Sequence, residues 1–280
     1  MIDELDSILR EICKHGLEMH HTNSTENQQL AKEFLKLSKD DLRACSLLYR
    51  EGLFALATYH LQQSVEKATK AYMLAIGVAT VNEVRKIGHD SLKGHMLYAR
   101  KLAWVISRLS KFDSSINVDL AEIDKIQKKR LEITRLDASE INKVISKADA
   151  VSKSIEIKLP QITRITQEIV IDSLVGGKQG SAQSKEDIVN IRQIIERIIS
   201  LTKILPFLFV ASLITFPHAE FTRYPDGVIK PWEYGMSMGI IVLMPEMIRR
   251  MDETFIALEK VEMDLEMLSK RNHENQSASS

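Results

Sequence analysis

Two cysteines, Cys13 and Cys45, are all that the chain contains. They show no metal-ligand spacing and are too few for a disulfide framework, so the sequence reads as that of a reduced, cytoplasmic protein. Eleven glycines and six prolines in 280 residues, beside 44% apolar residues, exclude both a disordered chain and a loop-rich β protein. An excess of charge is missing too. Lys plus Arg and Asp plus Glu number 38 each, which gives no global pull toward nucleic acid or an anionic membrane and leaves only local patches to supply one. One run, Ile204 to Pro217, is almost wholly apolar. At 14 residues it is too short to span a bilayer as a helix and is expected as a buried core helix; no membrane partner is expected. The opening Met-Ile-Asp-Glu-Leu-Asp is acidic and lacks the basic-then-apolar order of a secretion signal.

What the chain does have is helical period. From Leu30, apolar residues recur at Phe34, Leu37, Ala44 and Leu48, and Glu51-Gly52 supplies a stop. Leu61, Val65, Ala68, Tyr72 and Ala75 alternate steps of four and three before Gly77. The two segments should form an antiparallel hairpin. A polar link is expected around Asn82 to Lys86, and a third helix from about Ser91 to Leu109. Ile141, Val144, Ala148, Val151 and Ile155 mark another stripe, with Asp137 or Ser139 as its N-cap. Pro160 interrupts the pattern, and Gly176 to Ser184 has linker composition. The narrow stripes of 111–206 suit a long helical hairpin or arm. Its first part, 111–160, carries ten basic and nine acidic residues, a mixed solvated surface and not a comb for RNA. A last helix is expected from about Trp232 to Ser269, kinked near Pro245. Its Met236, Met238, Met244, Met247 and Met251 are expected mainly in the core. The fold class is therefore all-α, with no strand alternation. The expected organisation is a helical extension over 1–26, a bundle over 27–110 and 207–270, an inserted hairpin or arm over 111–206, and a disordered tail over 271–280.

A polar row crosses the second helix. Gln63, Lys67 and Lys70 share one face at i, i+4, i+7, and Glu66 sits four before Lys70, the favourable orientation for an ion pair. By itself this is a polar helix face with weak salt bridges. Gly88-His89-Asp90 follows before the third helix. Arg223-Tyr224-Pro225-Asp226 lies in the Pro-containing loop before the last.

These pieces carry a resemblance. Gln63-x-x-Glu66-Lys67-x-x-Lys70-Ala71 resembles the signature of the HEPN domain, a helical domain of higher eukaryotes and prokaryotes often found beside minimal nucleotidyltransferases. Asp41-Leu42-x-Ala44 and the approach from Gly52 are similar to that domain's first hairpin. Gly88-His89-Asp90 resembles the turn that opens its third helix, with Ser91 interposed before Leu92. Arg223-Tyr224-Pro225-Asp226 is similar to the loop before the final helix. The likeness covers about 27–110 and 215–265.

The resemblance implies an antiparallel bundle, a homodimer, and a groove for a nucleotide, RNA or a nucleotidyltransferase-type partner protein. Candidate ligand-binding residues are Gln63, Glu66, Lys67, Lys70, His89, Asp90, Arg223, Tyr224 and Asp226. Lys67, Lys70, His89 and Arg223 would meet phosphate, and Gln63 and Tyr224 a base or ribose. The structural alternative makes His89 and Asp90 caps of the third helix and pairs Arg223 with Asp226 or Glu66. Ribonuclease members of the superfamily carry Arg-x(4–6)-His. Here the spacing occurs only at Arg10 to His15, upstream of the recognisable bundle, and Arg85 to His89 has three intervening residues. No catalytic residue is assigned, and binding ranks above a toxin-like ribonuclease or a scaffold acting through the arm. No cofactor is expected. No metal is expected either: His15, His20 and His21 are read as part of a solvent-exposed link. Gly176 to Gly180 lacks the phosphate-loop pattern.

Overall fold

The computed structural model describes residues 25–95, 97, 132, 134–150, 152–153, 204–227 and 229–260. The extension, the Arg10 to His15 spacing, the Pro160 break, the 176–184 linker and the tail lie outside them. Among the described residues there are helices and turns and no strand.

The first two helices, α1 (Thr25–Arg50) and α2 (Phe54–Ala75), form the expected hairpin. Gly52, at φ +74°, makes the reversal possible because only glycine enters that region without strain. The Leu53 amide donates to the Leu48 carbonyl at 2.9 Å and the Gly52 amide to Tyr49 at 3.1 Å. This Schellman pairing satisfies carbonyls that the last turn would otherwise leave open.

Helix α2 runs through the middle of the molecule. Leu61, Val65, Ala68, Tyr72 and Ala75, the stripe read from the sequence, are all buried. On α1 the buried stripe is Ala31, Leu35, Ser38, Leu42 and Cys45. The expected positions Leu30, Phe34 and Leu48 flank it, and Leu37 faces solvent at 48% exposure. A serine inside the stripe hides it from an apolar pattern. Its place is explained by its partner. Ser38 Oγ donates to the Ser64 carbonyl at 2.6 Å, and Ser64 Oγ donates to the Ser38 carbonyl at 2.8 Å. Two small hydroxyls thus let the helices approach closely with no buried polar atom orphaned.

The expected polar link at 82–86 is instead a helix, α3 (Val81–Ile87). Thr80 accepts from the Glu83 amide while the Glu83 carboxylate accepts from the Thr80 amide, a capping box that starts the helix. Val81, Val84 and Ile87 then seat it on the core. Gly88, at φ +62°, turns the chain into α4 (91–95). Asp90 caps α4 by accepting from the Lys93 amide at 3.3 Å.

Helix α5 (138–150) lies in the stretch expected as an arm. Its described residues pack on the bundle: Ile141, Ile145 and Ala148 belong to the same core. Of the two candidate caps it is Asp137 that starts it, accepting from the Glu140 amide at 2.8 Å while Glu140 accepts from Asp137 at 2.9 Å. Gly239 holds its first turn. A Cβ there would press on the Leu136 carbonyl oxygen and stand 2.6 Å from the Asp137 carbonyl carbon and 2.8 Å from the Ala138 nitrogen. Backbone cannot swing aside as a side-chain tip can. Gly239→Ala should therefore cost about 1–3 kcal/mol, read as a lower midpoint in urea unfolding. An unchanged midpoint would mean that α5 is not docked there.

The apolar run forms the core helix α6 (204–215), buried on nearly every side. A short α7 (His218–Phe221) interrupts the loop that follows. The last long helix, α9 (244–260), begins well after Trp232. A 3-10 turn at Pro231–Glu233, a non-helical stretch to Met238 and the short α8 (Gly239–Val242) come first. Pro245 sits in the first turn of α9, where its missing N–H costs nothing, so it starts a helix where a kink was expected. Met244, Met247 and Met251 are fully buried, whereas Met236 is 59% exposed. Arg250 clamps α9 to α5 through two 2.6 Å bonds to Asp149.

Candidate functional site

The polar row of α2 is one continuous network, and it reaches both neighbouring segments. Glu66 is its centre, a carboxylate only 2% exposed. It accepts from Lys70 Nζ at 2.7 Å and from the Gln62 and Gln63 amides at 3.3 and 3.5 Å, and it faces His89 Nδ1 at 3.3 Å. Lys70 also lies 5.5 Å from the Phe34 ring centre. Gln63 donates to the Gln62 side-chain Oε1 at 2.7 Å and accepts from Lys67 at 3.3 Å. Lys67 in turn is bonded to Asp41 of α1, whose other oxygen meets His60 Nδ1 at 2.9 Å.

Two of the cations expected to meet phosphate are thus already neutralised inside the protein. Lys70 belongs to Glu66 and Lys67 to Asp41. An incoming phosphate would have to break a partly or wholly buried ion pair to engage either. The first job of these lysines is to offset one buried and one half-buried carboxylate.

The other expected residues are placed differently. His89 is 86% exposed and bridges from solvent to Glu66; it does not cap α4, a role that Asp90 takes. Arg223 pairs with neither Asp226 nor Glu66. Its Nε donates to the Ala219 carbonyl at 2.8 Å, and its guanidinium lies 5.4 Å from the ring centres of both Tyr59 and Tyr224. Arg223, Tyr224 and Asp226 are all exposed. Tyr59 places this stack on the α2 ridge, because Tyr59, Gln63, Glu66 and Lys70 follow steps of four, three and four. Tyr59 precedes Glu66 by about 10 Å along the axis, at roughly 1.5 Å per residue. Arg223 and His89 therefore approach one ridge from opposite ends.

Asp41, Tyr59, His60 and Gln62 belong to this site but are not among the candidate ligand-binding residues; Asp41 was read only as part of the first hairpin. Asp41 and His60 are 19 residues apart on different helices. Only the hairpin register brings them together.

Two further polar clusters are buried and serve packing. His95 Nε2 lies 3.0 Å from Ser212 Oγ and 3.5 Å from Thr69 Oγ1, tying α4, α6 and α2 together. His218 Nδ1 meets the Tyr234 hydroxyl at 2.7 Å. Burial lowers the pKa of both imidazoles to about 4, in His95 against a smaller opposing effect of its hydrogen bond to the Leu208 backbone. Burial also holds the Tyr234 hydroxyl protonated well above its usual range. Neither cluster has an exposed group to offer a ligand. Among the described residues no three His, Cys, Asp or Glu side chains are grouped to hold a metal ion, and no helix is long and apolar enough to cross a membrane.

The sequence profile of the HEPN domain matches residues 31–158, the span that holds α1 from Ala31 onward, α2 to α5 and the whole Asp41–Glu66–His89 network. The chain contains a HEPN domain. No curated protein and no solved structure matches it. The HEPN match runs through 111–158, within the stretch expected as an insertion, in keeping with the packing of α5 on the bundle. Arg223 and Tyr224 lie beyond its end. The stack at Tyr59 is therefore built by a HEPN helix and a loop from outside the matched span.

Proposed function

We propose that the chain binds a nucleotide or a short single strand of RNA on the α2 ridge, between His89 and the Arg223 stack. One observation carries this reading. In a site whose lysines are internally paired, the exposed Arg223 guanidinium has no carboxylate partner among the described residues and is held in place by two aromatic rings and one carbonyl. Such a cation can accept a phosphate without first losing an ion pair, and its fork suits two phosphate oxygens. Exposed Tyr224 adds a ring face on which a base can stack. The HEPN domain, often found beside nucleotidyltransferases, supports the ligand class.

The test is calorimetric titration of the full chain with nucleoside monophosphates and short RNAs. Binding should weaken about tenfold in Arg223→Ala, the loss of one charge-assisted contact worth roughly 1.5 kcal/mol. Stability should be almost unaffected, since the side chain is exposed. Absence of heat with every ligand, or binding indifferent to Arg223→Ala, would overturn the proposal.

A further inference from the structure

We infer that His60 is a ligand-reading subsite: its Nε2 accepts a hydrogen bond from a donor group on the bound molecule, an exocyclic amine or a ribose hydroxyl. The inference rests on the binding reading above and adds to it which hydrogen-bonding character the ligand must show at this point.

The argument begins at Asp41. Its carboxylate, 15% exposed, is fixed by Lys67 on one oxygen and meets His60 Nδ1 at 2.9 Å on the other. A carboxylate only accepts, so the neutral imidazole must carry its proton on Nδ1 and keep a lone pair on Nε2. The other tautomer would set a bare nitrogen against Asp41, turning the ring over would set a carbon there, and the Lys67 bond keeps that carboxylate from turning away. The tautomer is therefore set by a second helix.

The Nε2 lone pair has no protein partner among the described residues, and the His60 side chain is 30% exposed. Water can satisfy it in the free protein and a ligand group can replace that water. The location is that of the binding ridge. The Tyr59 ring stands edge-on to His60 at 5.3 Å between centroids, and Arg223 lies over that same Tyr59 ring. A phosphate on Arg223 would leave the rest of a nucleotide beside His60, with Gln63 one turn and Lys67 two turns further along. A fixed acceptor discriminates: it favours a donor, and a ligand that presents an acceptor there leaves two lone pairs opposed.

The experiment compares ligands differing in one donor, titrated into the full chain: AMP against IMP, CMP against UMP, and AMP against 2′-dAMP. The first two pairs exchange an amine for a carbonyl, and the third removes a hydroxyl. At least one pair should be separated by about tenfold, the size of one hydrogen-bond mismatch. His60→Asn keeps a donor for Asp41 but has nothing at the Nε2 position, so it should bring that ratio close to one. His60→Phe, which keeps the ring edge without nitrogens, provides the same reading if the asparagine variant folds poorly. Pairs that bind equally, or a ratio that survives both substitutions, would overturn the inference while leaving the binding reading intact. No binding by any nucleotide would remove both.

Discussion

Acidification from pH 6.5 to 4 should remove on the order of 3 kcal/mol of stability for each of two buried histidines, enough together to unfold an ordinary domain. His95 and His218 are 5% and 1% exposed, and burial takes both from 6.5 to about 4 in the folded protein. The unfolded chain, with its imidazoles in water, binds these protons first as the pH falls. Stability is therefore complete above pH 6.5, declines through the window from 6.5 to 4, and stops declining on this account below 4. Where both groups contribute, the slope should approach about 2.7 kcal/mol per pH unit. Urea unfolding at a series of pH values measures it directly, and a profile flat between 6.5 and 4.5 would contradict the burial of both rings. The opposite limit has its own group. Burial pushes the Cys45 thiol up to about 12 from 9.0, so it contributes a loss only as the pH rises above 9, when the unfolded chain ionises first.

One of the two acid-sensitive contacts joins the HEPN span to the rest of the chain, and the other lies wholly beyond that span. His95 bonds across to Ser212 on α6, and its ring meets Phe209 edge-on at 5.5 Å. His218 anchors α7, which leads directly into Arg223. Protonating either ring should loosen the loop that positions the Arg223 stack before it disturbs the α1–α2 hairpin, whose interface holds neither histidine. Ligand affinity is thus expected to fall at a higher pH than helix content does, a difference visible by titrating the same sample with circular dichroism and calorimetry.

The residues explain which parts of this architecture were legible in the sequence. The α2 stripe could be read because each of its positions is apolar and no tertiary contact alters the pattern. The stripe on α1 was harder, since Ser38 lies in its middle and its justification, Ser64, is 26 residues away. Helix α3 is too short for a periodic signal, and the Thr80-x-x-Glu83 capping box was the only local sign of it. The polar row was legible as a row but not in its roles. Ion pairing within one helix, as between Glu66 and Lys70, follows from spacing. Pairing between Lys67 and Asp41, and the dyad of Asp41 with His60, depends on the register of two helices, which no local pattern contains. Arg223 was found as a candidate with the wrong partners proposed, because carboxylates are the default expectation for arginine and the Tyr59 ring comes from a different segment.

Replacing Lys70 should be among the most destabilising single changes available in this protein. Glu66 would remain buried with two long amide bonds and one exposed histidine to offset its charge, and stranding one partner of a buried pair typically costs about 3–5 kcal/mol. Lys70→Met isolates the charge, since methionine fills the aliphatic path past Phe34. A neutral amide at 66 requires no counter-ion, so adding Glu66→Gln to Lys70→Met should recover part of the loss, with a coupling of about 1–3 kcal/mol between the two positions. Additive effects, or a cost for Lys70→Met below about 1 kcal/mol, would mean that Glu66 is better solvated than its 2% exposure implies. Binding supplies the second half of the test. If Lys70 neutralises Glu66 and does not hold the ligand, Lys70→Met should retain nucleotide affinity wherever it is still folded, whereas Arg223→Ala should retain stability and lose affinity. The opposite pattern would put the phosphate on α2 itself and make the arginine stack a structural clasp.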